Sequence, residues 1–160
     1  MKNAMSKAIV GLVLTISLSA MVAPVWVSGH GGGGRIDGTW DVQVTIRNCS
    51  DGVEIRSFKS LTTFMSGGTL VDSTSGIPQA QRTPGQGVWS HVSGNIYSFS
   101  FKSFNFNAVG NFTGWTTIIH EVSLDSSGDE YTSAGTSKIY DANGNFLFGG
   151  CSTTTATRFE

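Results

Sequence analysis

His120 is the residue whose type and position in this chain best suit chemistry. It lies in an alternating segment whose apolar members share its parity: Ile118, Val122 and Leu124. Because side chains alternate between the two faces of a strand, this phase turns the imidazole inward. An inward histidine could hydrogen-bond a ligand or transfer a proton near neutral pH. It could equally be a structural residue whose ring is satisfied by a neighbouring Ser or Thr.

Aromatic residues could line a binding site beside this histidine: Tyr97, Phe99, Phe101, Phe104, Phe106 and Tyr131. The first three share one parity and the next two have the other, so we expect a bulge near Lys102–Ser103 that turns all five inward. Tyr131 begins a segment whose other inward positions carry mostly small side chains. An aromatic wall facing a small, polar wall is what a cavity for an amphipathic molecule requires. Plain core packing of the same side chains is the alternative.

Other catalytic and metal-binding patterns are missing from the sequence. The three histidines, at positions 30, 91 and 120, are scattered, and neither cysteine belongs to a C-x-x-C pair, so a zinc site is not expected. There is no G-x-S-x-G nucleophile motif. The glycine run at 31–34 has no preceding strand and no following Lys that would suit phosphate binding. We predict no catalytic residue, no metal and no cofactor, and leave open whether the protein is an enzyme.

Composition limits the partners of the protein. Its 160 residues carry 10 Lys and Arg against 11 Asp and Glu, a formal net charge of -1. So few basic residues argue against a nucleic-acid partner, whose phosphates must be neutralised. The hydrophobic content of 39% is enough for a core and excludes a highly charged, disordered chain. The length fits one domain.

Residues 1–29 have the build of a secretory signal peptide. Lys2 and Lys7 provide a positive start, and a mainly apolar, uncharged run follows over residues 8–22. An uncleaved N-terminal membrane anchor is the alternative, because the apolar stretch approaches the roughly 20 residues that span a bilayer. We expect a secreted or periplasmic protein with no stable membrane insertion after cleavage. Residues 30–37 are then a flexible, glycine-rich leader.

The domain at residues 38–160 alternates apolar and polar residues, and turn residues separate the runs at short intervals. The first run shows the pattern of a half-buried strand, with Trp40, Val42, Val44 and Ile46 on one face. No segment after the signal peptide shows a convincing apolar period of 3.6 residues. About eight such strands predict an all-β fold, an eight-stranded antiparallel up-and-down barrel, with a sandwich as the less favoured alternative.

Cys49 and Cys151 lie near the two ends of this domain. An even number of cysteines in an exported protein predicts a disulfide. If the first and last strands pair antiparallel with residue numbers adding up to about 200, Cys49 falls opposite Cys151. Alternation then places both cysteines on the outer face and Trp40 on the inner face. The register that allows the disulfide therefore also closes the barrel.

Gly38-Thr39-Trp40 opens the first strand, and Arg158 lies near the end of the last one. This combination resembles the calycins, the superfamily of lipocalins, fatty-acid-binding proteins and avidins, whose first strand carries a G-x-W motif. The resemblance implies an eight-stranded barrel in which Arg158 packs across Trp40 as a structural plug at the closed end. The layout G-T-W, N-C, D-A-N-G-N and G-C is also similar to a group of uncharacterised exported bacterial proteins.

Our first functional hypothesis is a secreted, calycin-like barrel that binds a small apolar or amphipathic molecule in its lumen. The irregular segment from Ser75 to Gly87 could serve as a lid or binding loop. A second hypothesis is a barrel enzyme resembling allene oxide cyclases, marked by a buried His120 or Glu121 beside an open cavity. A third is a barrel filled by side chains that acts through its surface, as an inhibitor or interaction protein.

Overall fold

The structure is a computed structural model in which residues 35–159 are described. The predicted signal peptide and most of the predicted leader lie outside the described residues. The described chain forms eight strands and one short 3-10 helix. The strands are β1 (Gly38–Arg47), β2 (Glu54–Met65), β3 (Thr69–Thr74), β4 (Gly85–Ser93), β5 (Ile96–Phe106), β6 (Phe112–Leu124), β7 (Glu130–Asp141) and β8 (Phe146–Arg158), and the 3-10 helix (Gln79–Gln81) lies between β3 and β4.

Each strand pairs antiparallel with its neighbours in sequence, and β1 also pairs with β8, so the sheet closes into a barrel in the order β1 to β8. This confirms the predicted all-β, up-and-down antiparallel barrel and excludes the sandwich. Tight turns make the order possible. Between β4 and β5 the turn contains Gly94, whose positive φ of 51° glycine adopts without steric cost.

The pairing of β1 with β8 decides which side chains face the lumen. Trp40 lies opposite Arg158, and Arg47 lies opposite Cys151, so the register is displaced by two residues from the one that the cysteines suggested. A two-residue displacement keeps every side chain on its own face of the sheet. The inward face expected for β1 is therefore unchanged, and Trp40 is fully buried there.

Cys49 and Cys151 form the predicted disulfide, with their Cα atoms 5.2 Å apart and a sequence separation of 102 residues. The register expected from the sequence implied that Cys49 lies within β1. In the structure Cys49 lies in the turn that follows β1. From there it joins the β1–β2 turn to the first half of β8. A structural disulfide of this kind indicates an oxidising, extracytoplasmic environment.

The hydrophobic core is concentrated at one end of the barrel, where β1 starts and β8 finishes. The largest fully buried apolar side chains there are Trp40, Phe64, Ile36, Leu70 and Val122. Ile36 precedes β1, and its carbonyl accepts a 2.8 Å hydrogen bond from Nε1 of Trp40. The flexible leader expected over residues 30–37 ends earlier than residue 37, because Ile36, in the segment that enters β1, is already part of the core.

The bulge expected in β5 is absent. Lys102 and Ser103 pair in regular register with β6, and the register shifts only further on, between Asn105 and Phe106. Regular alternation therefore turns Ser103 inward, where it is 1% exposed, and turns Phe104 outward, where it is 49% exposed. The inward position after Phe101 is therefore occupied by Ser103, whose hydroxyl accepts a hydrogen bond, and not by an aromatic side chain.

Candidate functional site

The inward side chains leave a cavity of about 630 Å³ in the lumen. Its lining runs from Phe99 and Tyr131, beside the core, to Ile55 and Phe148 at the opposite end of the barrel. Much of the wall between them carries short side chains, among them Ser60, Thr62, Ser137, Ser152 and Thr154. We call the end with the core the closed end and the end with Ile55 and Phe148 the open end. The lumen is not filled by side chains.

The structure brings four of the predicted lining residues to this cavity and leaves three outside it. The four that line it are Phe99, Phe101, His120 and Tyr131. Tyr97 faces inward but lies deeper in the closed end, beside Trp89 and His91. Phe104 and Phe106 both pack against Phe112, with ring centroids 5.8 and 6.0 Å away. The expectation that Phe104 and Phe106 line the lumen is therefore wrong, because β5 continues without the bulge that would have turned them.

Trp40 and Arg158 close the barrel at the core end. The guanidinium carbon of Arg158 lies 4.4 Å from the centroid of the Trp40 ring. Nη1 of Arg158 donates a 3.0 Å hydrogen bond to the carbonyl of Asp37, and Nε donates one of 3.1 Å to the carbonyl of Gly128. The side chain thus joins the segment before β1 to the β6–β7 turn across the buried tryptophan. Its hydrogen bonds go to backbone carbonyls, and it takes no part in the cavity wall.

His120 faces the cavity with both ring nitrogens occupied. Nδ1 lies 2.7 Å from Oγ of Ser133, and Nε2 lies 2.9 Å from Oγ of Ser152. The ring stacks on Phe99 with centroids 5.3 Å apart. Burial lowers the pKa of His120 to about 4, so the ring is neutral at pH 7 and has one donor and one acceptor nitrogen. The two hydroxyls satisfy both, which is the structural alternative that the sequence left open.

Close packing holds this histidine in place. Gly135 on β7 lies directly opposite His120 in the sheet. A Cβ at Gly135 would collide with the imidazole ring and with the backbone of β6. Ser133, which bonds the ring, is itself hydrogen-bonded to Thr154 at 2.6 Å. The ring therefore belongs to a hydroxyl network that spans β6, β7 and β8, and it has little freedom to reorient.

A buried ion pair that was not predicted from the sequence lies across the lumen wall formed by β2, β3 and β5. Nη2 of Arg82 lies 3.1 Å from Oδ1 of Asp72, and both side chains are almost fully buried. Oδ2 of Asp72 accepts hydrogen bonds from Ser60 at 2.6 Å and from Thr62 at 3.1 Å. Nε of Arg82 donates to Oγ of Ser103 at 2.9 Å. All of these residues except Ser103 line the cavity.

The alternation of residues along β3 could have predicted that Asp72, one member of this pair, faces inward. Leu70, Asp72 and Thr74 share the inward face, so an alternating pattern around an aspartate could have shown a buried carboxylate. Arg82 follows the 3-10 helix in an irregular segment, where no periodicity indicates the direction of a side chain. Its role becomes visible only in three dimensions.

Tyr131 forms the floor of the cavity, at its border with the closed end. Its ring packs on Trp40 in an edge-on arrangement with centroids 4.8 Å apart. Burial and the nearby carboxylate of Asp72 raise the pKa of Tyr131 well above its usual range, while a hydrogen bond with Thr62 opposes that shift. The phenol therefore keeps its proton at neutral pH.

The β3–β4 connection covers one side of the open end. Gly76 and Ile77 line the cavity, and the carbonyl of Gly76 accepts a 3.1 Å hydrogen bond from Nη1 of Arg56. The segment predicted as a loop from Ser75 to Gly87 is shorter in the structure, because its last three residues belong to β4. Arg82 attaches it to the lumen wall.

Within residues 35–159, no group of three or more His, Cys, Asp and Glu residues is placed to hold a metal ion. The same stretch contains no helix of the length and apolar character needed to cross a bilayer. No protein-family model matches the chain, and no curated protein matches it either. The barrel and the chemistry of its lumen therefore carry the functional inference.

Proposed function

We propose that the protein is an exported, calycin-like carrier that binds one small apolar or amphipathic molecule in its lumen. The observation that carries this proposal is the cavity of about 630 Å³ between the closed and open ends. Pockets that bind small molecules have volumes of roughly 300–1,000 Å³, with mainly apolar walls and a few placed polar groups. The lumen matches this description in both size and lining.

The open end supports the passage of an apolar molecule. Ile55 and Phe148 line the cavity and are also 64% and 60% exposed to solvent. Exposed apolar side chains of this size around a pocket favour contact with an apolar partner. Val44 and Ile46 continue the apolar surface inward along β1. A ligand that enters here passes these apolar side chains, with Arg47 and Arg56 also at the rim, before it reaches the polar groups deeper in the barrel.

One observation favours an enzyme as the second candidate. His120 is buried beside an open cavity, which is the feature that would mark a barrel similar to allene oxide cyclases. Its chemistry favours a carrier, because the pKa of about 4 makes the ring a weak base at neutral pH. Both of its nitrogens are also occupied by Ser133 and Ser152. Glu121 is exposed, on the outer face of β6, and takes no part in the lumen.

The test of the carrier proposal is native mass spectrometry of the protein purified from its own host, followed by binding of the neutral fluorescent probe N-phenyl-1-naphthylamine. We expect either a retained small molecule or a saturable gain in probe fluorescence. Val44→Trp should fill the lumen and weaken probe binding at least tenfold. Thr45→Trp, which places the same ring on the outer face of the same strand, is the matched control. An empty protein that takes up no probe would overturn the proposal.

A further inference from the structure

Arg82 is a buried cation whose hydrogen-bonding capacity is only partly used. Its Nε donates to Ser103 and its Nη2 donates to Asp72. Among the described residues Nη1 has no hydrogen-bond partner. Among the described residues, the one side-chain polar atom that is both fully enclosed and without a partner is Oδ1 of Asn105. Nη1 of Arg82 also has no partner, so it cannot be fully enclosed by protein. Since Arg82 lines the lumen and is only 7% exposed, we infer that this nitrogen is directed towards the cavity.

Asp72 has less capacity left for a ligand. Its Oδ1 accepts from Arg82, and its Oδ2 accepts from both Ser60 and Thr62. A ligand ammonium group would either share Oδ1 with the guanidinium, which places two cations side by side, or displace a donor of Oδ2 and leave that donor buried without a partner. The loss of a partner by a buried donor costs about 1–3 kcal/mol, which offsets much of what a new bond contributes. The deep lumen therefore offers a donor to a ligand rather than a carboxylate.

The charges in the deep lumen cancel. Asp72 neutralises Arg82 at 3.1 Å, His120 is uncharged at pH 7 and Tyr131 keeps its proton. A ligand carboxylate bound to Nη1 would add a negative charge beside Asp72 with no further cation to balance it. Burial of an unbalanced charge is costly, whereas an uncharged acceptor gains a charge-assisted hydrogen bond without that cost.

We propose that the lumen selects an uncharged, mainly apolar molecule with an acceptor oxygen of the ketone, aldehyde or ester type, and that Nη1 of Arg82 binds this oxygen. The inference rests on the proposed carrier function and names the ligand class of that same site. The apolar remainder of the molecule contacts Phe101 and Phe99. The ring centroid of Phe101 lies 5.8 Å from the guanidinium carbon of Arg82, and the ring of Phe99 stacks on that of Phe101 with centroids 6.0 Å apart.

Two further arginines lie at the open end, and they define the competing arrangement. Nη1 of Arg47 donates to the carbonyl of Gly52, and Nη1 of Arg56 donates to the carbonyl of Gly76. Both residues line the cavity, and an anionic ligand could place its charge between them with its apolar part inward. Such binding would weaken with added salt, because charges at a solvated rim are screened. It would also be indifferent to Arg82.

The experiment uses four naphthalenes of similar shape, each displacing N-phenyl-1-naphthylamine from the intact, disulfide-bonded protein at pH 7. They are 2-acetylnaphthalene, 2-ethylnaphthalene, 2-naphthoate and 2-(aminomethyl)naphthalene. The variant is Arg82→Met combined with Asp72→Asn, which removes the donor without leaving a buried charge. Lys138→Met, on the outer face of β7, is the matched control. The quantity compared is the ratio of the affinity of the ketone to that of the hydrocarbon.

We expect this ratio to fall about tenfold in the double variant, as the loss of one hydrogen bond from a charged donor implies, and to stay unchanged in Lys138→Met. We also expect the ketone to bind at least tenfold more tightly than the naphthoate or the amine. An unchanged ratio in the double variant overturns the role of Arg82. Tighter binding of the naphthoate that weakens with salt overturns the uncharged ligand class and indicates the rim arginines instead.

A second measurement on the wild-type protein covers the case in which the double variant does not fold. The ¹³C resonance of a carbonyl-labelled 2-acetylnaphthalene moves downfield when its oxygen accepts a strong hydrogen bond. We expect the bound resonance at or beyond its position in water, and a position like that in cyclohexane overturns the inference. Failure of the probe and all four naphthalenes to bind refutes the carrier function itself. Binding of all of them without discrimination refutes only the ligand class.

Discussion

The two ends of the barrel differ in what their inward side chains do, although the same strands build both. At the closed end β1 contributes Trp40, which is fully buried and packs on Tyr131. Further along the same face of β1, Ile46 lines the open cavity. The diameter of a barrel is set mainly by the number of its strands. The size of the side chains at each level therefore decides whether the lumen is packed or hollow.

The polar groups of the lumen lie between these two ends. The Asp72–Arg82 pair occupies one wall, and His120 with its serine partners occupies another. Each group is satisfied mainly by protein, so neither wall depends on a ligand to be stable. We therefore expect the closed end to carry most of the folding free energy of the barrel and the open end to be free for binding.

The largest expected effect is the loss of stability when a buried aromatic side chain of the closed end is truncated. Trp40→Ala removes the largest buried side chain of the closed end and the surface on which Arg158 lies. We expect the free energy of unfolding to fall by about 3–5 kcal/mol, the usual cost of deleting a buried aromatic ring. Chemical unfolding in urea, monitored by circular dichroism, measures the change.

The control for this prediction is Phe148→Ala at the open end. Phe148 is an aromatic residue of the same barrel, but it is exposed, so its loss should change the free energy of unfolding by less than about 1 kcal/mol. Equal losses in the two variants would show that the ends share the folding free energy, and the contrast drawn between them would not stand.

Alternation along the strands made the barrel and much of the lumen predictable from sequence. On β6 the phase that turns His120 inward also buries Val122 and Leu124, as expected. On β7 one of the inward positions expected to carry a small side chain, Ser137, lines the cavity, whereas Ser133 is buried against His120. These predictions succeeded because each side chain follows the two-residue period of a strand, which a single sequence displays directly.

The predictions failed where a side chain depends on a contact made elsewhere in the chain. Phe104 looked like a lumen residue because it is aromatic and lies near Phe101. The inward position between them instead carries Ser103, which bonds a guanidinium reaching in from an irregular segment. Neither the direction of Arg82 nor its pairing with Asp72 has a local signature in sequence. Long-range polar contacts of this kind overrule a preference based on residue type.

The next expected effect concerns His120, which lies at the border between the two ends. The unfolded chain has an ordinary histidine pKa of about 6.5, whereas burial lowers the pKa of the folded form to about 4. Between these values the unfolded state takes up a proton that the folded state excludes. Stability should therefore be unaffected above pH 6.5 and lower by about 2–3 kcal/mol at pH 4.5 than at pH 7. Urea unfolding at both pH values measures this loss.

Two glutamine variants assign the pH dependence. His120→Gln should remove most of the loss between pH 7 and 4.5, because glutamine cannot take up a proton at this position. His91 is exposed at the edge of the closed end, and His91→Gln should leave the loss as it is in the wild-type protein. The same slope in His120→Gln would mean that another group carries the effect. Asp125 is unsuited to that role, because the hydrogen bond from Ser127 lowers its pKa to about 2.

The smallest expected effect comes from enlarging an inward side chain at the closed end and another in the cavity. Ala156 is buried at the closed end, and Ser137 faces the cavity. A well-packed site resists an enlarged side chain, so Ala156→Leu should lower the free energy of unfolding by about 1–3 kcal/mol. Ser137→Leu enters empty space, where added apolar contacts offset any small rearrangement, so its change in stability should stay within about 0.5 kcal/mol. Its effect should appear instead as weaker binding of N-phenyl-1-naphthylamine.

If Ser137→Leu is as destabilising as Ala156→Leu, the lumen at the open end is as tightly packed as the core, and the distinction between a folding end and a binding end disappears.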